Sequence, residues 1–221
     1  MPEKIYTIPI NEAFEHNDGC PMCRLFETLE KNELDLILGA SMMEPDVRIA
    51  TNRLGFCHEH LQKMHGAKKS LPLALLLQSH LQELNEALDK NYDSQAKFFE
   101  SVNESCYVCQ RINGYLENMY ENLFWLFAND EAFKEKIKSQ TQFCLPHYAE
   151  LIKRAKTKLK KNDYKLFCSY INEIQKAHWA HLSKDIADYT AMFDYRNADA
   201  EWGDFKNAPK VITENLSGKK L

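Results

Sequence analysis

Six of the seven cysteines in this 221-residue chain fall in two kinds of short motif. Cys20-Pro21-Met22-Cys23 and Cys106-Tyr107-Val108-Cys109 are Cys-x-x-Cys pairs, while Cys57-His58-Glu59-His60 and Cys144-Leu145-Pro146-His147 each contain Cys-x-x-His. Thiolates and imidazoles three positions apart suit metal binding, because residues three apart at a helix start face the same side. The spacing repeats. Cys20 to Cys106 and Cys23 to Cys109 are each 86 positions, and Cys57 to Cys144 and His60 to His147 are each 87. One ligand-like cassette thus occurs twice, nearly in register.

A structural zinc site takes four Cys or His ligands in a tetrahedron. The simplest partition gives each cassette its own Cys₃His set: Cys20, Cys23, Cys57 and His60, then Cys106, Cys109, Cys144 and His147. A module that once stood alone would have needed a complete set. The alternative pairs the cassettes crosswise, as one Cys₄ and one Cys₂His₂ site. Zinc is the expected metal, with two ions. An iron–sulfur cluster is the alternative cofactor, since thiolate with imidazole also suits such clusters. Four protein ligands leave no open position for hydrolytic chemistry, so the expected role is structural and no catalytic residue is assigned.

These ligands need helices to hold them. Gly and Pro number only seven each, and no window alternates as a strand would. The expected fold is all-α, built from two tandem metal-stapled helical modules, 1–102 and 103–221, which could pack as one domain. Residues 1–17 read as an extended arm, because Pro2 and Pro9 discourage a helix. Pro21 opens a helix to about Leu38, stopped by Gly39. A loop at 41–44 leads to short helices at 45–53, ended by Gly55, and around His60, ended by Gly66. Ser70 starts a helix to about Lys90 whose stripe is Leu73, Leu76, Leu77, His80, Leu81, Leu84 and Leu88. A short helix spans 95–102. The second module repeats the plan: helices over 106–128 and about 130–139, one from Cys144, and one capped by Asn162-Asp163 that runs over 164–195. Asn207 caps a last short helix ended by Gly218.

Composition narrows the function. Hydrophobic residues are 44% and charged residues 27%, which marks a globular chain. The net charge of −4 argues against a broadly basic nucleic-acid surface. No apolar leader is visible, and the longest uncharged run, 70–82, is too short to span a bilayer, so a cytoplasmic protein is expected. In a reducing cytosol, paired cysteines are metal ligands or redox thiols more often than disulfides. A thiol-redox switch at the Cys-x-x-Cys pairs is therefore the rival to a binding or adaptor module with a protein partner.

Ile5-Tyr6-Thr7-Ile8-Pro9-Ile10-Asn11-Glu12-Ala13-Phe14, Cys20-Pro21-Met22-Cys23, Ser41-Met42-Met43-Glu44-Pro45-Asp46-Val47-Arg48 and Gly55-Phe56-Cys57-x-x-His60 resemble a family of uncharacterised bacterial proteins. The family is common in anaerobic Firmicutes, and some members are labelled ABC-transporter substrate-binding proteins. The resemblance implies a shared fold and shared ligands, without an activity to carry over. The transporter label sits poorly with a chain that shows no export signal.

Weaker signals have plainer readings. Glu44, Asp46, Arg48 and Asn52 could form a ligand or partner surface, though a capped helix with surface ion pairs explains them as well. The basic run Lys153, Arg154, Lys156, Lys158, Lys160, Lys161 reads as a solvated helix end. His178, His181 and Cys168 read as packing residues.

Overall fold

The structure, a computed structural model, describes residues 4–197 and 200–218. Residues 1–3 of the expected arm, 198–199 and the last three residues of the tail lie outside it. Among the described residues there are eleven α-helices and three short 3-10 turns, and no strand. The helices are α1 (Lys4–Glu15), α2 (Pro21–Ile37), α3 (Pro45–Leu54), α4 (His58–Gly66), α5 (Ser70–Ala87) and α6 (Tyr92–Asn103), followed by α7 (Tyr107–Asn129), α8 (Glu131–Lys138), α9 (Leu145–Lys158), α10 (Lys161–Ala191) and α11 (Ala208–Ser217). The all-α expectation holds.

The chain forms two compact units. One takes the residues up to Glu27 together with those from Glu117 on, and the other is Thr28–Leu116. The division expected after residue 102 falls inside the second of these. The chain passes from one unit to the other within α2 and returns within α7.

In the first unit α1 packs on α8, and α10 packs on α8, α9 and α11. The core is aromatic. Phe14 meets Phe133 at 5.2 Å, and Phe167 of α10 lies 5.4 Å from Phe124 and 5.0 Å from Phe127. Each such ring contributes roughly 1.5–3 kcal/mol by leaving water. Burial also explains why residues 4–15 are helical despite Pro9. Proline inside a helix removes one hydrogen bond and costs about 3 kcal/mol. A helix here buries Ile10, Ala13 and Phe14 on one side, which outweighs that loss.

In the second unit α3 and α4 pack on α5, and α6 packs on α3 and α5. Leu73 and Leu76 of the α5 stripe are buried, but Leu81 and Leu88 are each 57% exposed, so the covered face is narrower than the sequence pattern implies. Capping follows the sequence in part. Asp130 accepts bonds from the backbone of Ala132 and Phe133, as its type predicts. α10 starts at Lys161, so Asp163 lies in its first turn instead of capping it. There it still faces the positive end of the helix dipole. Asn207 precedes α11 without a side-chain cap.

Candidate metal centres

All four ligand pairs are built alike. Cys57 and Cys144 are the N-cap residues of α4 and α9, with extended backbone, and their carbonyls accept from the amides of Leu61 and Tyr148. Cys20 and Cys106 stand in the same relation to α2 and α7, accepting from Arg24 and Gln110. The second ligand of each pair lies three residues on, in the first helical turn. Every sulfur and imidazole therefore sits at a helix N-terminus, where free N–H groups and the dipole favour thiolate charge.

The structure brings the eight residues together as two sets, but not as the sequence partition has them. Cys20, Cys23, Cys144 and His147 form one cluster, and Cys57, His60, Cys106 and Cys109 form the other. In each, the ligand atoms lie within 4.8 Å of one another. The within-cassette pairing is thus corrected, and so is the Cys₄ plus Cys₂His₂ alternative. The Cys-x-x-Cys of one cassette joins the Cys-x-x-His of the other, and both centres remain Cys₃His. Helix length is the reason. The 17 residues of α2 carry the chain about 25 Å from Cys20, and the ten of α3 recover only about 15 Å. The 23 residues of α7 rise about 35 Å, and the eight of α8 return about 12 Å. Neither short helix is by itself long enough to carry its Cys-x-x-His back to the pair that precedes it.

The donor set fits a tetrahedral ion. With arms of about 2.3 Å to sulfur and 2.0–2.1 Å to nitrogen, S···S edges should be about 3.8 Å and S···N edges about 3.6 Å. In the first centre Cys23 and Cys144 sulfurs are 3.5 Å apart, and His147 Nδ1 lies 3.7, 3.4 and 3.1 Å from Cys20, Cys23 and Cys144. In the second, Cys57 and Cys109 sulfurs are 3.9 Å apart, and His60 Nδ1 lies 3.1, 3.4 and 3.4 Å from Cys57, Cys106 and Cys109. Both imidazoles present Nδ1.

The residues of each set shift one another's titration. Burial, then the neighbouring Cys106 and Cys57, push the Cys109 thiol well above its ordinary range. Burial alone would lower His147, but its bonds to Cys144, Cys20 and Cys23 raise it overall. Burial lowers His60 despite Glu30. A metal ion removes the crowding, because a coordinated thiol gives up its proton outright.

Several further residues position these side chains. His60 Nε2 meets Glu30 Oε1 at 3.2 Å, and Lys63 Nζ donates to the same oxygen at 2.6 Å. A carboxylate behind a ligating histidine fixes its tautomer and ring orientation. Gly55, at φ 58°, ends α3, and its carbonyl accepts from Tyr107 N at 3.0 Å. Ser105 Oγ donates to Leu54 O at 2.7 Å, so the two ligand-bearing segments of this unit are tied by backbone. In the first unit Phe143, just before Cys144, is clamped on both sides. Its N–H donates to Gln175 Oε1 at 3.2 Å, and its carbonyl accepts from Asn215 Nδ2 at 3.2 Å. Gly218 has φ 58°, and a Cβ there would stand 2.6 Å from Cys144 Sγ. The sequence marks Gly218 only as a helix stop, but it also makes room for a ligand sulfur.

The lesser candidates stay outside both centres. Asn52 is engaged between α3 and α5: its Oδ1 accepts from Ser79 Oγ, and its carbonyl meets His80 Nδ1 at 3.0 Å. Glu44 and Asp46 are exposed and Arg48 is half-buried. His178 Nε2 meets Asn215 Nδ2 at 3.0 Å, His181 is exposed beside Asp185, and Cys168 is half-buried. Three of the six residues of the basic run are charge-paired, Arg154 with Glu117 and Glu150, Lys158 with Glu121, and Lys153 with Glu150.

The comparison with known families identifies one of unknown function. The family of unknown function DUF6062 matches residues 1–220. The chain belongs to that family. No curated protein and no solved structure matches it. No helix among the described residues is long and apolar enough to cross a membrane.

Proposed function

We propose that this member of DUF6062 is a cytoplasmic zinc protein whose two ions are structural, and that its helical surface serves as a binding or adaptor module for a protein partner. One observation carries the reading: eight side chains from four helix N-termini close into two complete Cys₃His sets. A closed four-ligand set leaves a bound zinc no position for substrate, which favours a structural over a hydrolytic role. The matching spacings support descent from a duplicated module. The net charge, and the pairing of Arg154 and Lys158 with glutamates, weigh against nucleic acid as the partner.

Elemental analysis of protein purified without added metal tests this, with two zinc equivalents expected per chain. Iron with acid-labile sulfide and a brown colour would replace zinc with a cluster.

A thiol-redox switch at the Cys-x-x-Cys pairs is the second reading, and the sulfurs of Cys23 and Cys144, 3.5 Å apart, add a thiol pair across the two motifs that an oxidant could join. Two thiolates would give two electrons to hydrogen peroxide, forming one S–S bond and two hydroxide ions and releasing the metal. Unchanged metal content and thiol count after mild peroxide would remove it.

A further inference from the structure

The two centres share a donor set but not a setting. His60 has a buttress: Glu30, whose side chain is 12% exposed, meets its Nε2 and is itself held by Lys63. His147 has none. Its Nδ1 faces Cys20, Cys23 and Cys144, and among the described residues nothing hydrogen-bonds its Nε2. A carboxylate behind a ligating histidine fixes the ring and makes it a better donor, and losing such a partner weakens metal affinity about 10–100-fold.

The backbone differs in the same sense. In the second unit the ties between ligand segments adjoin the cysteines, from Tyr107 N to Gly55 O and from Ser105 Oγ to Leu54 O. In the first unit the bond from Thr141 Oγ1 to Asn17 O falls three residues short of both Cys144 and Cys20.

The first centre is also within reach of a small molecule. Cys20, Cys23 and Cys144 form part of the wall of a half-open cleft of about 510 Å³ that lies wholly within the first unit. That volume falls in the range of small-molecule sites. Cys144 is buried, but Cys20 and Cys23 are half-buried, so these two sulfurs are the ones that an incoming donor atom meets.

We propose that the first centre is an exchangeable metal site, which passes its ion to and takes it from a small chelating molecule in the cleft, while the second centre holds its ion fixed. The proposal rests on the metal reading and deepens it: both ions brace helices, and one of them is also handed on. The exchange is a ligand substitution. A nitrogen or sulfur donor of the acceptor takes the place that Cys20 or Cys23 gives up, and no electrons change hands.

Full-length protein carrying two metal equivalents is mixed with excess pyridylazoresorcinol, a small chelator that changes colour on binding zinc. Absorbance should show two phases of one equivalent each, the fast one about 10–100-fold quicker. Amide spectra recorded after the fast phase should be shifted at Gly19, Cys23 and Gly218 and unchanged at Gly55, His60 and Cys109. Val211 lines the cleft and is 42% exposed, so Val211→Trp should obstruct the cleft and slow the fast phase alone. Glu30→Gln should quicken the slow phase and narrow the gap. A single rate for both ions, a fast phase whose shifts fall at the second centre, or a fast phase indifferent to Val211→Trp would overturn the proposal and leave two metal centres standing. Protein without metal would instead strike the metal reading.

Discussion

At the scale of single residues, the eight ligands differ sharply from every other Cys and His. Cys23→Ser removes a thiolate from one tetrahedron and should lose one of two metal equivalents, with a clear fall in melting temperature. Cys168→Ser touches neither centre and should keep both metals. Metal analysis with thermal melts separates the two, and equal behaviour would contradict the assignment. Gly218 makes a more particular case. Alanine there must adopt a strained φ and push on Cys144 Sγ, so Gly218→Ala should loosen metal at the first centre and spare the second. Competition with a chromogenic chelator would show one metal leaving early. Glu30→Gln should act at the other centre. The amide keeps an acceptor for His60 Nε2 but loses the charge, and losing the carboxylate behind a ligating histidine weakens metal affinity about 10–100-fold.

At the scale of elements, the helices follow local rules wherever those rules are strong. Pro45 and Pro146 sit in first turns, Asp130 caps α8, and Gly55 and Gly218 end α3 and α11. α1 is the exception, since Pro9 lies inside it and core burial overrides the backbone cost. Pro9→Ala restores a helical N–H and should stabilise the protein by about 1–2 kcal/mol, less than the full proline cost because the unfolded chain also gains freedom. Chemical denaturation measures this, and a destabilised variant would show that the proline ring itself packs in the core. The α5 stripe shows the opposite limit. Periodicity located its buried side but not its width, because it cannot say how many neighbouring helices will cover a face.

At the scale of the whole molecule, the centres divide the chain in a nested way. All four ligands of the second centre lie within 28–116, and the first centre draws on both flanks. A fragment of residues 28–116 should therefore bind one metal equivalent and gain helicity as it does so. The sequential pieces 1–102 and 103–221 each hold a Cys-x-x-Cys and a Cys-x-x-His that share no centre. As monomers they should bind metal far more weakly and remain poorly folded. Metal titration followed by circular dichroism compares the three, and a tight single site in 1–102 would restore the within-cassette partition. Stripping metal from the full chain with a strong chelator should lower the stability of both units, since metal-binding energy is also folding energy.

The amino-acid sequence by itself picked out the eight residues that gather into the two clusters, the all-α class and most helix boundaries. Those depend on residue type and short spacing, on Cys and His three apart and on proline and glycine at helix ends. Tertiary structure decided which pair meets which, because a tetrahedron closes through space and helix length sets how far the chain has travelled before it turns. The buttress of Glu30 behind His60 and the room that Gly218 leaves for Cys144 had no trace in the sequence, since each joins residues tens of positions apart that only packing brings together.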